Sequence, residues 1–440
     1  MKGEGVERSA IDDLLRRSFD QYELALVRET SRKHEVRDRE LYGVDMKTEE
    51  GMSLRAVREG RRVFAYTFTA GEEGIKVLAA KANELLPFME RDEGIGFPAP
   101  SGVIPSMALF DEEGLRGPDN EKVAKLLDME ARILGCDRRI RKTRNCEYSE
   151  AEVVVRIVNS QGVDVQAGKS IFTAFGLAVA GDGGDDEVSY WDWTWSDSFE
   201  GLDFAALGEA IAHKTLASLG GAPLPTGAYE GILTPRAAAD LLQVLSASFL
   251  GENLYKKKTS LLDKEGQEVF SPLVTIVDSG LAGIDAFPFD GEGVPSRETR
   301  IVEGGIFTGF LYDGYYGAKF GRPSTGNAVR AGVTAPPQNG VRGIHIVPGE
   351  RDVAGTMSDG IIIDDLMGVH TANPITGEFS LGATGWMRRA GADRPFNGVV
   401  FSGNIFKLLK SLKAVGNDLR FFGAAGSPSL YIEGLTISGT

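Results

Sequence analysis

Apolar and polar positions change period several times along the chain, and each change predicts a change of element. Near the start, Ile11, Leu14, Leu15 and Phe19 recur at helical spacing and predict an amphipathic helix. Alternation then predicts strands over 22–29, 33–42, 52–58 and 62–69, with Arg58-Glu59-Gly60-Arg61 joining the last two as a hairpin. Ile75, Leu78, Ala79, Ala82 and Leu85 return to one helical face. Residues 91–118, rich in Pro, Gly and Asp, predict a linker or surface excursion. The same order follows again. Asn120 starts a helix carrying Val123, Leu126, Leu127 and Ile133; strands are predicted over 139–148, 152–159, 169–180 and 187–196; a helix over 204–219 closes the block. The pattern gives two similar helix–strands–helix units.

Residues 220–227, GGAPLPTG, form the strongest boundary signal. Beyond it, Thr234 and Pro235 are placed to start a helix whose stripe is Ala238, Leu241, Leu242, Leu245 and Phe249, with Gly251 as its stop. Short strands and turns are predicted over 271–349, then a helix over 404–415 and a final strand pair. Gly is unusually abundant, 56 of 440 residues, against an average of about 7%. Without a collagen period, that use implies many tight turns. The expected fold class is therefore α+β: two helix–strands–helix units (1–90 and, after the linker, 91–219) and a β-rich domain of antiparallel strands around a few helices (224–440).

The stretch 360–385 concentrates the candidate chemistry. Ile361, Ile362 and Ile363 predict a buried strand, Asn373-Pro374 and Thr376-Gly377 predict turns, and Phe379 and Leu381 resume alternation. Asp364 and Asp365 end the first strand at the mouth of this loop, and His370 lies within it. Two readings stay open: a loop that presents groups to a ligand, or a plain two-strand corner. Asp364, Asp365, His370, Asn373, Thr376 and Phe379 are the candidate cavity residues. Gly382 and Gly385 would permit close backbone approach there.

Charge and composition exclude several functions. The net charge is −15 and the pI about 5.0, which disfavours binding to a phosphate backbone. Lys256-Lys257-Lys258 and the basic residues at 138–142 are too short to reverse that. The two cysteines, Cys136 and Cys146, show no metal spacing and fit a reducing cytosol. The first residues show no apolar leader, and the longest weakly polar run, 172–181, is too short to span a bilayer. The expectation is a cytoplasmic protein with no membrane and no nucleic-acid partner.

No catalytic constellation is visible. The four histidines, His34, His213, His345 and His370, are scattered, and a catalytic zinc needs about three protein ligands. A cluster of His345, His370 and Asp364 or Asp365 is the one metal arrangement left to consider. There is no nucleophile elbow and no phosphate-binding glycine loop. The acidic pairs Asp12-Asp13 and Asp185-Asp186 read as helix-start and turn residues.

Four pieces together resemble the TldD/PmbA family: FDGEGVP at 289–295, STGNA at 324–328, GVHTANPITGEFSLGATG at 368–385, and Ser402-Gly403-Asn404 with Gly416-Asn417-Asp418-Leu419. The likeness is to the PmbA/TldE branch, and members have also been labelled modulators of DNA gyrase. It implies a cytosolic peptidase built from a TldD-type and a TldE-type subunit, acting on unfolded or short peptides and on precursor leaders. The TldD-type subunit carries zinc through H-E-x-x-x-H on a helix and a C-terminal Cys. Registered on Gly231-Ile232-Leu233, those helix positions hold Pro235, Arg236 and Asp240 here, and the Cys region reads Arg420-Phe421-Phe422-Gly423. The resemblance thus implies the metal-free subunit, with no cofactor, an extended peptide as substrate, and a TldD-type zinc subunit or a second copy as partner. Strands at 361–364 and 378–382 are the expected edges for peptide addition. The alternatives are an independent homodimeric hydrolase using His370, or a gyrase modulator without peptidase role.

Overall fold

The first alternating runs build longer strands than their pattern predicts. The structure, a computed structural model, describes residues 6–92, 95–181 and 187–440; Asp185-Asp186 lies outside them. After helix α1 (Arg8–Leu15), strand β1 (Gln21–Arg37) runs without a break through the expected gap at residues 30–32. The turn falls instead at Asp38 and Arg39, inside what alternation assigned to one strand, and β2 (Glu40–Arg58) follows. Both turn residues have positive φ, 54° and 66°, the geometry of a tight two-residue hairpin. Asp38 is a turn-favouring type, but without Gly or Asn beside it the signal is weak against the alternation on either side. β3 (Arg61–Thr67) and α2 (Gly71–Leu85) complete the unit.

The second unit repeats the plan. Short α3 (Glu112–Arg116) and long α4 (Asp119–Cys136) precede β4 (Ile140–Asn159), β5 (Asp164–Gly181), β6 (Glu187–Ser196) and α5 (Phe204–Ala217). The units share one six-stranded sheet in the order β3-β2-β1-β4-β5-β6, joined by antiparallel β1 and β4. Each unit therefore puts its first strand at the centre. Even positions such as Leu24, Leu54 and Val158 pack under α1 and α2, and Tyr148 and Phe172 pack under α4 and α5. Alternation sends odd positions to the other face, where Ala25 and Ile157 meet Phe289.

From Gly227 the chain forms β7 (Gly227–Leu233), α6 (Pro235–Ser246), β8 (Ile276–Ser279), β9 (Glu298–Glu303) and β10 (Ile306–Phe307). A small ribbon, β11 (Ala328–Val329) with β12 (Gln338–Asn339), precedes β13 (Ile344–Ile346), β14 (Gly360–Met367) and β15 (Glu378–Arg389). β16 (Ala392–Asn404), β17 (Leu412–Val415), β18 (Arg420–Phe422), β19 (Ala425–Ser427) and β20 (Leu430–Ser438) end the fold. One sheet runs β10-β9-β8-β13-β19-β18; the other runs β16-β15-β14-β7-β20-β17, and β16 also pairs with β20, closing it into a barrel. Helix α6 fills the space between, burying Ala238, Leu241, Leu242 and Leu245 in the largest core. It is thus the central helix of an α+β molecule.

Two expectations need correction. The helix predicted over 404–415 stops at Lys410, because Leu412–Val415 pairs with β20 instead. Of the strands expected to offer open edges, β14 is interior over 361–363, between β15 and β7, and β15 is flanked by β16 along its length and by β14 only from Gly382. Residues 361–363 are paired on both sides and cannot receive a peptide, whereas 378–381 pair with β16 alone.

Candidate functional site

Polar groups gather where α6 begins, against β14 and β6. Thr234 does not cap the helix with its side chain; its Oγ1 donates to the Asp364 carbonyl at 3.2 Å. Arg236, in the first turn, is buried and donates through Nη2 to Oδ1 of buried Asp192 on β6. Its guanidinium also lies 4.3 Å from the Trp191 ring centroid, a favourable cation–π contact. Asp364 accepts from Lys214 Nζ at 3.2 Å and from the Tyr190 hydroxyl at 3.3 Å, and Lys214 also donates to that hydroxyl at 2.7 Å. Asp365 and Asp240 are the less satisfied pair. Burial pushes Asp240 up to about 6, with the Asp365 charge adding to it against Arg236. Burial also raises Asp365, opposed by Arg236 and reinforced by Asp364.

The loop after β14 has a different character. His370 is exposed in a short 3-10 turn, Val369–Thr371. Asn373 Oδ1 accepts from the amides of Ile375 (2.9 Å) and Thr376 (3.1 Å), the self-bonded turn its residue type favours. Thr376 accepts from the Glu378 amide, and its carbonyl receives Asn404 Nδ2 at 2.8 Å. Phe379 is core, with its ring centroid 4.8 Å from that of Phe401. The six predicted residues therefore divide: two aspartates beside α6, His370 on a cavity, Asn373 and Thr376 shaping a turn, and Phe379 in the core. His345 does not join His370 in a metal cluster; its ring packs on Phe421 and its Nδ1 lies 2.9 Å from the Gly343 carbonyl. Among the described residues, no group of three or more His, Cys, Asp or Glu could hold a metal ion.

Two cavities adjoin at Val329 and Val341. The smaller, about 350 Å³, lies against the odd-numbered face of the first sheet, between Val27, Val155 and Ile171 and Phe287, Arg330 and Arg342. The larger, about 580 Å³, is bounded by Val244 and Ala247 of α6, by Asn339, and by His370 and Pro374 of the loop. The ribbon β11–β12 runs between them. The Gly340 amide donates to the Asn327 carbonyl at 3.0 Å, next to the Ala328–Asn339 pair, so alternation turns the Asn339 amide and carbonyl away from β11. The Asn339 side chain accepts from the Glu252 amide through Oδ1, whereas its buried Nδ2 has no partner among the described residues.

Sequence reading missed the network that holds this ribbon. Asp290 accepts from the amides of Glu292 and Val294 and, through Oδ2, from Ala328 at 3.0 Å. Asn327 donates to Asp278 and to the Gly340 carbonyl, and Asp278 accepts from the Arg342 and Gly343 amides. Burial and the neighbouring Glu292 push Asp290 up to about 7. The short polar motifs 289–295 and 324–328 were the available signal; their convergence depends on contacts distant in sequence.

Comparison with known proteins gives these features a context. Residues 22–86, 117–219 and 226–439 match the first, central and C-terminal domains described as PmbA/TldA metallopeptidase. An uncharacterised protein of Methanocaldococcus jannaschii is 28% identical over 88% of this chain and 89% of its own length. The metalloprotease PmbA of Escherichia coli O157:H7 is 24% identical over 91% of this chain and 88% of its own. The crystal structure of TldE from Thermococcus kodakarensis superposes with a TM-score of 0.90 at 23% identity, covering 98% of this chain and all of that one (100%). No helix among the described residues is long and apolar enough to cross a membrane.

Proposed function

Because this chain belongs to the PmbA/TldD family, we propose that it is a metal-free subunit that holds an extended peptide for a zinc-bearing family member to cut. The residues present do not fit a catalytic metal. A guanidinium stays protonated and neither ligates a cation nor acts as a general base, and Arg236 is paired with Asp192 at the position registered for the family's Glu. Lys214 and Tyr190 similarly occupy Asp364. No step of the reaction is assigned to this chain. Its work is positioning.

The observation that carries the reading is the ribbon edge at Asn339. Its amide and carbonyl are directed away from β11 and Asn339 lines the larger cavity; an extended chain satisfies its own backbone by adding to such an edge. Backbone pairing demands no particular side-chain sequence, which suits substrates that share extension rather than sequence. The adjoining cavity is lined by both signs of charge, Lys169, Arg330 and Arg342 with Glu29, Asp285 and Asp290.

The test uses the purified full chain, alone and mixed with a zinc-bearing family member. Alone, it is expected to hold no stoichiometric zinc by metal analysis and to cleave no unstructured peptide. In the mixture, peptide is expected to slow amide exchange over 338–341. Gln338→Pro, which removes a ladder donor from β12, is expected to raise KM with little change in kcat. Tight zinc or peptidase activity in the chain alone overturns the reading. His370 on the larger cavity is what an independent hydrolase would use; an unchanged rate in His370→Ala removes that alternative.

A further inference from the structure

The smaller cavity is lined by two buried cations whose hydrogen-bond partners are all neutral. Its walls are apolar on both sides, with Val27, Val155 and Ile171 of the first sheet facing Phe287, Phe289 and Val341. Lys169, in β5, is 5% exposed, and its Nζ donates to the carbonyls of Ile284 and Ala286. Arg342 is 6% exposed and commits both amino groups to the Ser296 hydroxyl and the carbonyls of Gly326, Phe287 and Phe289. Among the described residues neither forms an ion pair. Burial pulls Lys169 below its ordinary value, against Asp285 and Asp197, and the Arg342 charge adds to the fall. Burial likewise lowers Arg342, against Asp290, Asp278 and Asp285. Of the acids in the lining, Asp290 accepts amide N–H groups through both oxygens. Asp285 and Glu29 are exposed, where solvent screens them. Arg330 is paired with Glu23, yet its buried Nε has no acceptor among the described residues.

A buried charge with only neutral partners is unfavourable, and an arriving counter-charge relieves it. We propose that this cavity is a binding site for an apolar group carrying a carboxylate, with the carboxylate on Lys169 and the apolar body between Val155 and Phe287. An ammonium has three protons, so Lys169 keeps one for the ligand. An inorganic anion would set its remaining oxygens against valine and phenylalanine side chains that cannot bond them. An apolar amine would meet two buried cations. The volume, about 350 Å³, is at the small end of ligand sites and suits one large side chain with its acid group. Arg330 Nε calls for a second acceptor, which a carbonyl in the same ligand supplies. Two sources share this chemistry, the C-terminal residue of a peptide and a small free acid. The site does not depend on the peptide reading. The first source alone rests on it and deepens it, because the two cavities adjoin at Val329 and Val341.

Calorimetric titration of the purified full chain tests it. Hydrocinnamate is expected to bind, and hydrocinnamamide and phenylpropylamine to bind about tenfold more weakly or worse. An acetylated peptide ending in phenylalanine, with a free or an amidated C-terminus, separates the sources. Displacement of hydrocinnamate by the free-acid peptide and not by its amide assigns the site to peptide ends; displacement by neither assigns it to small acids, and the site stands without the peptide reading. Lys169→Met is expected to weaken hydrocinnamate by about tenfold or more. Val155→Phe, which fills the cavity and leaves its charges in place, is expected to abolish binding. Asp285→Asn removes an exposed acid and is expected to tighten binding by about two- to fivefold. These last two variants carry the test should Lys169→Met fail to fold. No binding of hydrocinnamate or of the free-acid peptide, equal binding of acid and amide, tighter binding of the amine, or binding unchanged in Val155→Phe each overturns the proposal.

Discussion

Gly385 is a residue with almost no freedom to vary. A Cβ built there would lie 1.9 Å from the Ile362 carbonyl oxygen and 3.1 Å from the Ile363 Cα. The β14–β15 register slips between Ile363 and Asp365, which draws the two backbones together at this point. The carbonyl belongs to a central strand and cannot retreat. Gly385→Ala is therefore expected to destabilise by about 1–3 kcal/mol, the usual cost of overpacking a core, as read from urea unfolding. Gly43→Ala, with nothing within 4 Å of the added carbon, should stay within about 0.5 kcal/mol. The need for close approach at Gly385 was legible in the sequence, but the approaching group is the protein's own strand and not a substrate. Asn373 was legible in full, because its turn is made by its own side chain. His370 could be singled out as titratable, whereas its place on a cavity depends on α6 and the ribbon.

At the scale of elements, α6 shows which part of a pattern can be read. Its apolar stripe follows the helical period and was visible. Arg236 was not visible as a buried residue, because its partners Asp192 and Trp191 lie in β6 and nothing local marks them. Asp240 on the same helix gives a pH-dependent consequence. Its folded-state value, about 6, stands above the ordinary 3.8, so the folded protein keeps a proton that the unfolded chain releases. Stability contributed by this group is present below about pH 4 and falls as pH rises toward 6. Asp240→Asn removes the loss. The variant is expected to be more stable than its parent by about 1–2 kcal/mol at pH 7.5, after discounting for partial exposure, and no more stable at pH 4. Urea melts at both values check it. An equal gain at both would trace the effect to packing and not to charge.

Across the whole molecule, the decisive ambiguity is which side of a sheet meets solvent. Alternation marks Glu23, Ser53 and Arg55 as the polar face of β1 and β2, and a sheet standing alone would wet them. Here all three are buried, because the C-terminal part brings its own charges to that face. Arg55 lies between Glu23 and Glu292, with Nη1 2.9 Å from Glu292, and Arg330 reaches Glu23 at 2.7 Å. Although burial alone would raise Glu23, Arg55 and Arg330 hold it below its ordinary value. Such a network costs desolvation, so its presence is weak evidence of net stability; its removal one partner at a time is another matter. Arg55→Met leaves Glu292 buried without that cation and is expected to cost about 3–5 kcal/mol. Adding Glu292→Gln removes the stranded charge, and a glutamine oxygen can still accept from the Gly314 amide as Glu292 does at 2.8 Å. The double variant should therefore be more stable than Arg55→Met alone, with a coupling of about 1–3 kcal/mol in a double-mutant cycle. Amide exchange locates the effect: in Arg55→Met, protection should fall together in β2 and in residues 289–330, since one ion network spans both. Loss confined to β2 would mean that Arg55 serves its own sheet and does not clamp the two parts.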